Sequence, residues 1–201
     1  MKPEFKKLIE TIQTEGWKKI QVEFGSERLQ IQVPSDCDEL SMKAVQPLAD
    51  PGRAVEEALA SPIGTPRLEE IIQKKGKPAS RLSVAITVSD LTRPVPYKGE
   101  NGILRPLLQQ LETAGVSKEK IKIVIGTGLH RPMTDREKVE MYGQEVVGHY
   151  QLIDHQAENS ASLLSLGKTR RGRPVSINRD FYSADLKIAT GLVESHFFAG
   201  I

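Results

Sequence analysis

Three short stretches hold the side chains that could do chemistry. The first, Asp90-Leu91-Thr92-Arg93-Pro94, is a dense polar loop whose prolines, Pro94 and Pro96, fix the backbone. Arg93 offers a planar fork of donors suited to a carboxylate or phosphate. Asp90 could orient that fork or accept from a ligand hydroxyl. The second stretch places His130 between Gly126-Thr127-Gly128 and Arg131-Pro132. Small residues there let backbone come close to a ligand, and a loop imidazole exchanges protons near neutral pH. The third ends the chain, with His196 beside Phe197 and Phe198. Apolar neighbours disfavour the charged ring and keep a neutral base available. Plainer readings exist for each: a strand-end turn with a surface ion pair, a solvated loop histidine, and a core histidine under an aromatic lid. His149 and His155 have no matching carboxylate or cysteine spacing and read as structural.

The elements that must position these groups follow a strand-loop-helix rhythm. Runs rich in Val and Ile at 82–88 and 121–125, and a shorter apolar run at 186–190, each discharge into one of the three loops. Short β-branched runs bounded by Gly and Pro, alternating with helical patterns, predict parallel strands of an α/β sheet. Ligands in such sheets occupy the crevice beyond the carboxyl ends of the strands, so all three loops are expected to open onto one crevice. Between them, Ile103, Leu104, Leu107, Leu108 and Leu111 predict a helix over 100–114, ended by Gly115. Thr134 and Glu137 have the spacing of a capping box, which predicts a helix over 135–142. A further strand is expected at 146–153, a loop over 154–172, a strand at 174–178 and a helical turn at 179–184.

Ahead of this core, the pattern predicts a helix over 3–15 and a hairpin of 20–24 with 29–33. An irregular connection over 34–51 and two short helices near 53–60 and 66–75 follow. The expected fold is α/β, a Rossmann-like, mostly parallel sheet with flanking helices, preceded by a β-hairpin and short helices. Residues 1–80 form the lead-in and 81–201 the core. The Gly126-Thr127-Gly128 turn falls short of the Rossmann and P-loop phosphate fingerprints.

Composition narrows the function class. Among 201 residues, 28 basic and 26 acidic side chains leave a formal charge of +2, too even to suggest nucleic acid or an anionic membrane as a partner. The basic run Lys168 to Arg173 is short and lacks interleaved aromatics, so it reads as a solvated loop. No stretch has the length of a membrane span, and the N-terminus lacks the apolar run of a signal peptide. The single cysteine, Cys37, excludes an internal disulfide and fits a reducing compartment. A soluble cytoplasmic protein is the expectation.

Taken in order, Asp90 to Pro96, Gly126 to Pro132, and Gly191-Leu192-Val193-Glu194-Ser195-His196-Phe197-Phe198-Ala199-Gly200 resemble the N-terminal domain of the nickel-pincer lactate racemase family. The likeness runs from about residue 18 to the end. It implies a 2-hydroxyacid racemase or epimerase in which His130 and His196 face each other across the substrate carbon as acid/base residues. Arg93 would hold the substrate carboxylate, and Asp90, Leu91, Thr92 and Arg93 would lie against the cofactor. That cofactor is nickel pyridinium-3,5-bisthiocarboxylic acid mononucleotide. In the family a cofactor-anchoring lysine and a nickel-ligating histidine follow the last motif, beyond Ile201. The resemblance therefore implies a longer enzyme with a C-terminal domain as partner, a small 2-hydroxy acid as substrate, and an inactive fragment. The alternative is a non-catalytic module that binds a carboxylate or phosphate through Asp90, Arg93 and the Gly-Thr-Gly turn.

Overall fold

A computed structural model describes residues 16–25, 27–40 and 44–194. The expected helix over 3–15 and His196 lie outside the described residues. The chain divides into two compact units, Met1–Pro47 and Leu48–Ile201. In the first, strands β1 (Trp17–Phe24) and β2 (Glu27–Pro34) pair antiparallel as the expected hairpin, with Ile20 opposite Ile31 and Val22 opposite Leu29. The alternation of β1 follows from its period of two: Lys18, Ile20 and Val22 are half-buried while Lys19, Gln21 and Glu23 face water.

The second unit is built on a four-stranded parallel sheet. Its strands are β3 (Val84–Ser89), β4 (Ile121–Gly126), β5 (Gln151–Asp154) and β8 (Leu186–Ala189), in the order β5-β4-β3-β8. The central pair is almost wholly apolar, and Ile86, Ile121, Ile123 and Ile125 are sealed from water, as a sheet covered on both faces requires. Helices α1 (Pro51–Ala60) and α2 (Leu68–Gln73) both pack against α3 (Leu104–Thr113), whose Leu104, Leu107, Leu108 and Leu111 form its buried stripe. Ile72 of α2 is buried in the same core, so these two helices belong to the sheet unit. Asp50 caps α1 by accepting from the Arg53 amide at 2.9 Å.

Helix α4 (Asp135–Tyr142) starts at the expected box, with Glu137 N donating to Thr134 Oγ1 at 3.3 Å and Thr134 N donating to Glu137 Oε2 at 2.8 Å. Two expectations fail beyond it. Residues 146–149 are not strand: Gly143, at φ +90°, ends α4 and allows a second helix, α5 (Gln144–His149), that buries Val146. The β-branched Val146-Val147 pair suggested extension, yet packing of one helical face decides the local state. The strand proper, β5, is only four residues long. Likewise 154–172 is not all loop. Strand β6 (Leu163–Lys168) pairs antiparallel with β7 (Pro174–Asn178) across a turn at Gly172, φ +76°. Its outer residues are exposed, so the strand lacks the apolar signal that reveals a core strand. Helix α6 (Arg179–Ser183) then leads to β8. Among the described residues no helix is long and apolar enough to cross a membrane.

Candidate active site

Ser89 and Gly126 are paired at the carboxyl ends of β3 and β4, so the loops of Asp90 and His130 leave the sheet side by side. Two buried tyrosines fix this point. Ser89 N donates to Tyr97 Oη at 2.8 Å, and Tyr142 Oη donates to Ser89 O at 2.7 Å. Burial pushes the Tyr142 phenol well above its usual range, so it stays a donor. A further chain of hydroxyls reaches β8. Thr190 Oγ1 donates to Thr87 O at 2.6 Å and therefore accepts from Tyr97 Oη, 3.0 Å away. One tyrosine thus ties the exit of β3 to the exit of β8.

Asp90 is the most buried acidic side chain of the crevice, at 4% exposure. Its Oδ1 accepts from Thr92 N at 3.0 Å and Thr92 Oγ1 at 2.6 Å, while its Oδ2 lies 2.6 Å from His130 Nδ1. Burial alone would raise the Asp90 carboxyl, but the hydrogen bonds from Thr92 and His130 outweigh it and hold the group below its ordinary value. An ionised carboxylate is acceptor-only, so His130 must place a proton on Nδ1. In the neutral ring the lone pair then sits on Nε2, and the imidazole is half exposed. His130 reaches this position through a tight turn in which His130 N donates to Thr127 O at 2.9 Å and Gly128 takes φ +58°. The turn needs glycine there because other residues rarely adopt that region.

Of the two roles open to Asp90 in the sequence, orienting Arg93 or meeting a ligand hydroxyl, the first is not the one the fold uses. Both of its oxygens serve Thr92 and His130. Arg93 instead pairs with Glu194 and donates from Nη1 to Thr92 O at 3.2 Å, with both ion-pair side chains 39% exposed. The segment after β8 is therefore drawn to the Asp90 loop. Leu91 projects outward, 48% exposed. The structure thus unites Asp90, Thr92, Arg93 and His130, and joins them to Glu194, Tyr97 and Thr190. Nothing in the spacing of these last three marks them beforehand.

Two concavities flank the Asp90–His130 pair. One, of about 670 Å³, is lined by Leu91, Arg93, Val95, Tyr97, Lys98 and Met141 among others. The other, of about 440 Å³, has His130 and His155 in its wall with Gly128, Pro132, Gln156 and Asn159. His155 follows β5 directly, the place Asp90 occupies after β3, and that placement was the available signal for it. Its backbone is held on both sides: His155 N donates to Ile125 O at 2.9 Å, and Thr127 Oγ1 donates to His155 O. Asp154, just before it, accepts from Met133 N at 3.0 Å and pairs with Lys138 at 2.6 Å. Both ends of the His130 loop are therefore fastened to the exit of β5. Among the described residues no group of three His, Cys, Asp or Glu side chains could hold a metal ion.

Similarity to known proteins agrees with this fold. Residues 23–201 match the family described as the lactate racemase N-terminal domain. The chain is 36% identical over 146 residues to the lactate racemase of Lactiplantibacillus plantarum, and equally to that of Thermoanaerobacterium thermosaccharolyticum. Each alignment covers 73% of this chain and 32% of the relative, so the chain spans about a third of the length of these relatives. The structure of the lactate racemase apoprotein from Thermoanaerobacterium thermosaccharolyticum superposes with a TM-score of 0.63 at 30% identity, over 90% of this chain and 40% of that one. A crystal structure from Thermotoga maritima, 19% identical with a TM-score of 0.50 over 70% of this chain and 33% of that one, shares the fold. The α/β unit with its preceding hairpin, ordered motif by motif as above, therefore belongs to the lactate racemase N-terminal domain family.

Proposed function

We propose that this chain forms the acid/base part of a 2-hydroxyacid racemase or epimerase, with His130 as one of its proton-transfer residues. The observation that carries the proposal is the 2.6 Å contact between Asp90 Oδ2 and His130 Nδ1. A buried carboxylate that fixes the tautomer leaves Nε2 bare and aimed outward, and it offsets the charge that develops when the ring takes a proton. His130 would accept the proton of the substrate 2-hydroxyl as the carbonyl forms, and return a proton to that oxygen in the reverse direction. His196, by the family motif, would play the same part on the opposite face, because the two enantiomers present their hydroxyls from different sides.

Arg93 would hold the substrate carboxylate. A carboxylate already sits on its guanidinium, that of Glu194, and both partners are partly exposed, so exchange for a substrate carboxylate costs little. Fixing the acid end gives the pivot about which the carbonyl presents its two faces.

The family implies a nickel-pincer nucleotide, and the residues of the larger concavity fit the organic part of such a group. Lys98 provides a cation for a phosphate, and Leu91 provides apolar surface at the rim beside Arg93. When bound, that group supplies a reversible acceptor for the C2 hydrogen with its electron pair. The chain's own share is orientation and proton transfer. In the complete enzyme, His130→Ala should abolish interconversion of 2-hydroxy acid enantiomers while circular dichroism of the fold is unchanged. Racemisation that persists in His130→Ala would exclude the assigned role.

A further inference from the structure

The smaller concavity has two histidines in its wall, and hydrogen bonding sets them in opposite tautomers. Asn178, at the end of β7 and 7% exposed, accepts from Phe181 N at 3.0 Å through Oδ1 as it caps α6. That bond settles which end of the amide is oxygen. Its Nδ2 then lies 3.3 Å from His155 Nδ1. An amide nitrogen only donates, so His155 Nδ1 is the acceptor and the neutral ring carries its hydrogen on Nε2. His130 is the reverse, with Nδ1–H given to Asp90 and a bare Nε2. One cavity wall therefore carries a proton acceptor and a neutral hydrogen-bond donor, on loops joined by the Thr127–His155 bond.

We propose that His155 is a substrate-binding residue, donating from Nε2 to an oxygen on C3 of a 2-hydroxy acid whose 2-hydroxyl is served by His130. The inference rests on the acid/base reading of His130 and names the substrate class it serves: 2,3-dihydroxy acids in preference to acids with a plain alkyl chain. The lining supports a hydroxyl over other groups. Gln156 and Asn159 are neutral amides, and Glu158 beside them opposes a second carboxylate. A space of about 440 Å³ exceeds what one methyl group fills, and a methyl would leave the His155 donor without a partner.

The test has two arms. In this chain, two-bond nitrogen–proton NMR should show Nε2–H for His155 and Nδ1–H for His130. An Nδ1–H tautomer at His155 overturns the inference whatever the enzyme does. In the complete, cofactor-loaded enzyme, interconversion of glycerate enantiomers should exceed that of lactate by about tenfold in kcat/KM, the worth of one hydrogen bond. His155→Leu should bring the ratio close to one. His155→Gln, whose amide nitrogen reaches the ε position, should restore most of it. Equal rates on both acids, a lactate preference, or a glycerate preference that survives His155→Leu each removes this inference and leaves the acid/base reading standing. Inactivity towards every 2-hydroxy acid removes that reading and this inference with it.

Discussion

Replacing Asp90 with Asn tests the heart of the site, because shape is kept and only charge and proton direction change. The two donors of Thr92 still demand an oxygen at the Oδ1 position. The amide NH2 must then occupy the Oδ2 position and donate to His130 Nδ1. The imidazole can no longer keep its hydrogen there, so the proton moves to Nε2 and the lone pair that faces the crevice disappears. A hydrogen bond to a charged partner contributes about 1.5–3 kcal/mol, which sets the native tautomer preference at roughly tenfold to a hundredfold. Catalysis that needs the bare Nε2 should fall further, by about 10³ to 10⁴, as expected when a carboxylate that orients a histidine is replaced by its amide.

Nitrogen NMR of the chain reports the tautomer directly, and enantiomer interconversion by the complete enzyme reports the consequence. The acid response changes too. Asp90 is held below its ordinary value of 3.8, so its contribution to stability is present above that value and is lost as pH falls through the folded value. In Asp90→Asn that part of the acid dependence should vanish from urea titrations. Retention of Nδ1–H on His130 in the variant, or interconversion within threefold of wild type, would refute the reasoning.

Tyr97→Phe keeps the buried ring and deletes the hydroxyl that receives from Ser89 N and gives to Thr190 Oγ1. It should cost about 1–3 kcal/mol in urea unfolding, since the Ser89 amide loses its acceptor and Thr190 Oγ1 keeps only its bond to Thr87 O; a cost below a few tenths would show that the hydroxyl chain does not hold β8 to β3. Asp154→Ala strips Lys138 of its partner, where the two side chains are 14% and 12% exposed, and frees Met133 N. The expected loss is about 3 kcal/mol, with broadened His130 resonances as the far end of its loop comes loose; unchanged resonances would dissociate Asp154 from the placing of His130.

Much of the fold was legible in the order of residues because it rests on local rules. Period-two alternation in β1, Val/Ile-rich runs in β3 and β4, the leucine stripe of α3 and the Thr134–Glu137 box all report their element from a few neighbours. The exceptions, α5 and β6, are short and weakly patterned, so their state is set by what packs or pairs with them. The same division runs through the site. Sequence alone determined that Asp90, Arg93 and His130 lie at the carboxyl ends of parallel strands, since strand-then-loop is a local pattern, and the order of three motifs determined the family. Only the tertiary structure decided that Asp90 holds His130 and not Arg93, that Glu194 answers Arg93 across 101 residues, and that His155 shares a wall with His130. These pairings depend on which strand lies beside which, β3 between β4 and β8. Strand order is a non-local outcome of how the helices cover the sheet, and spacing along the chain carries no trace of it.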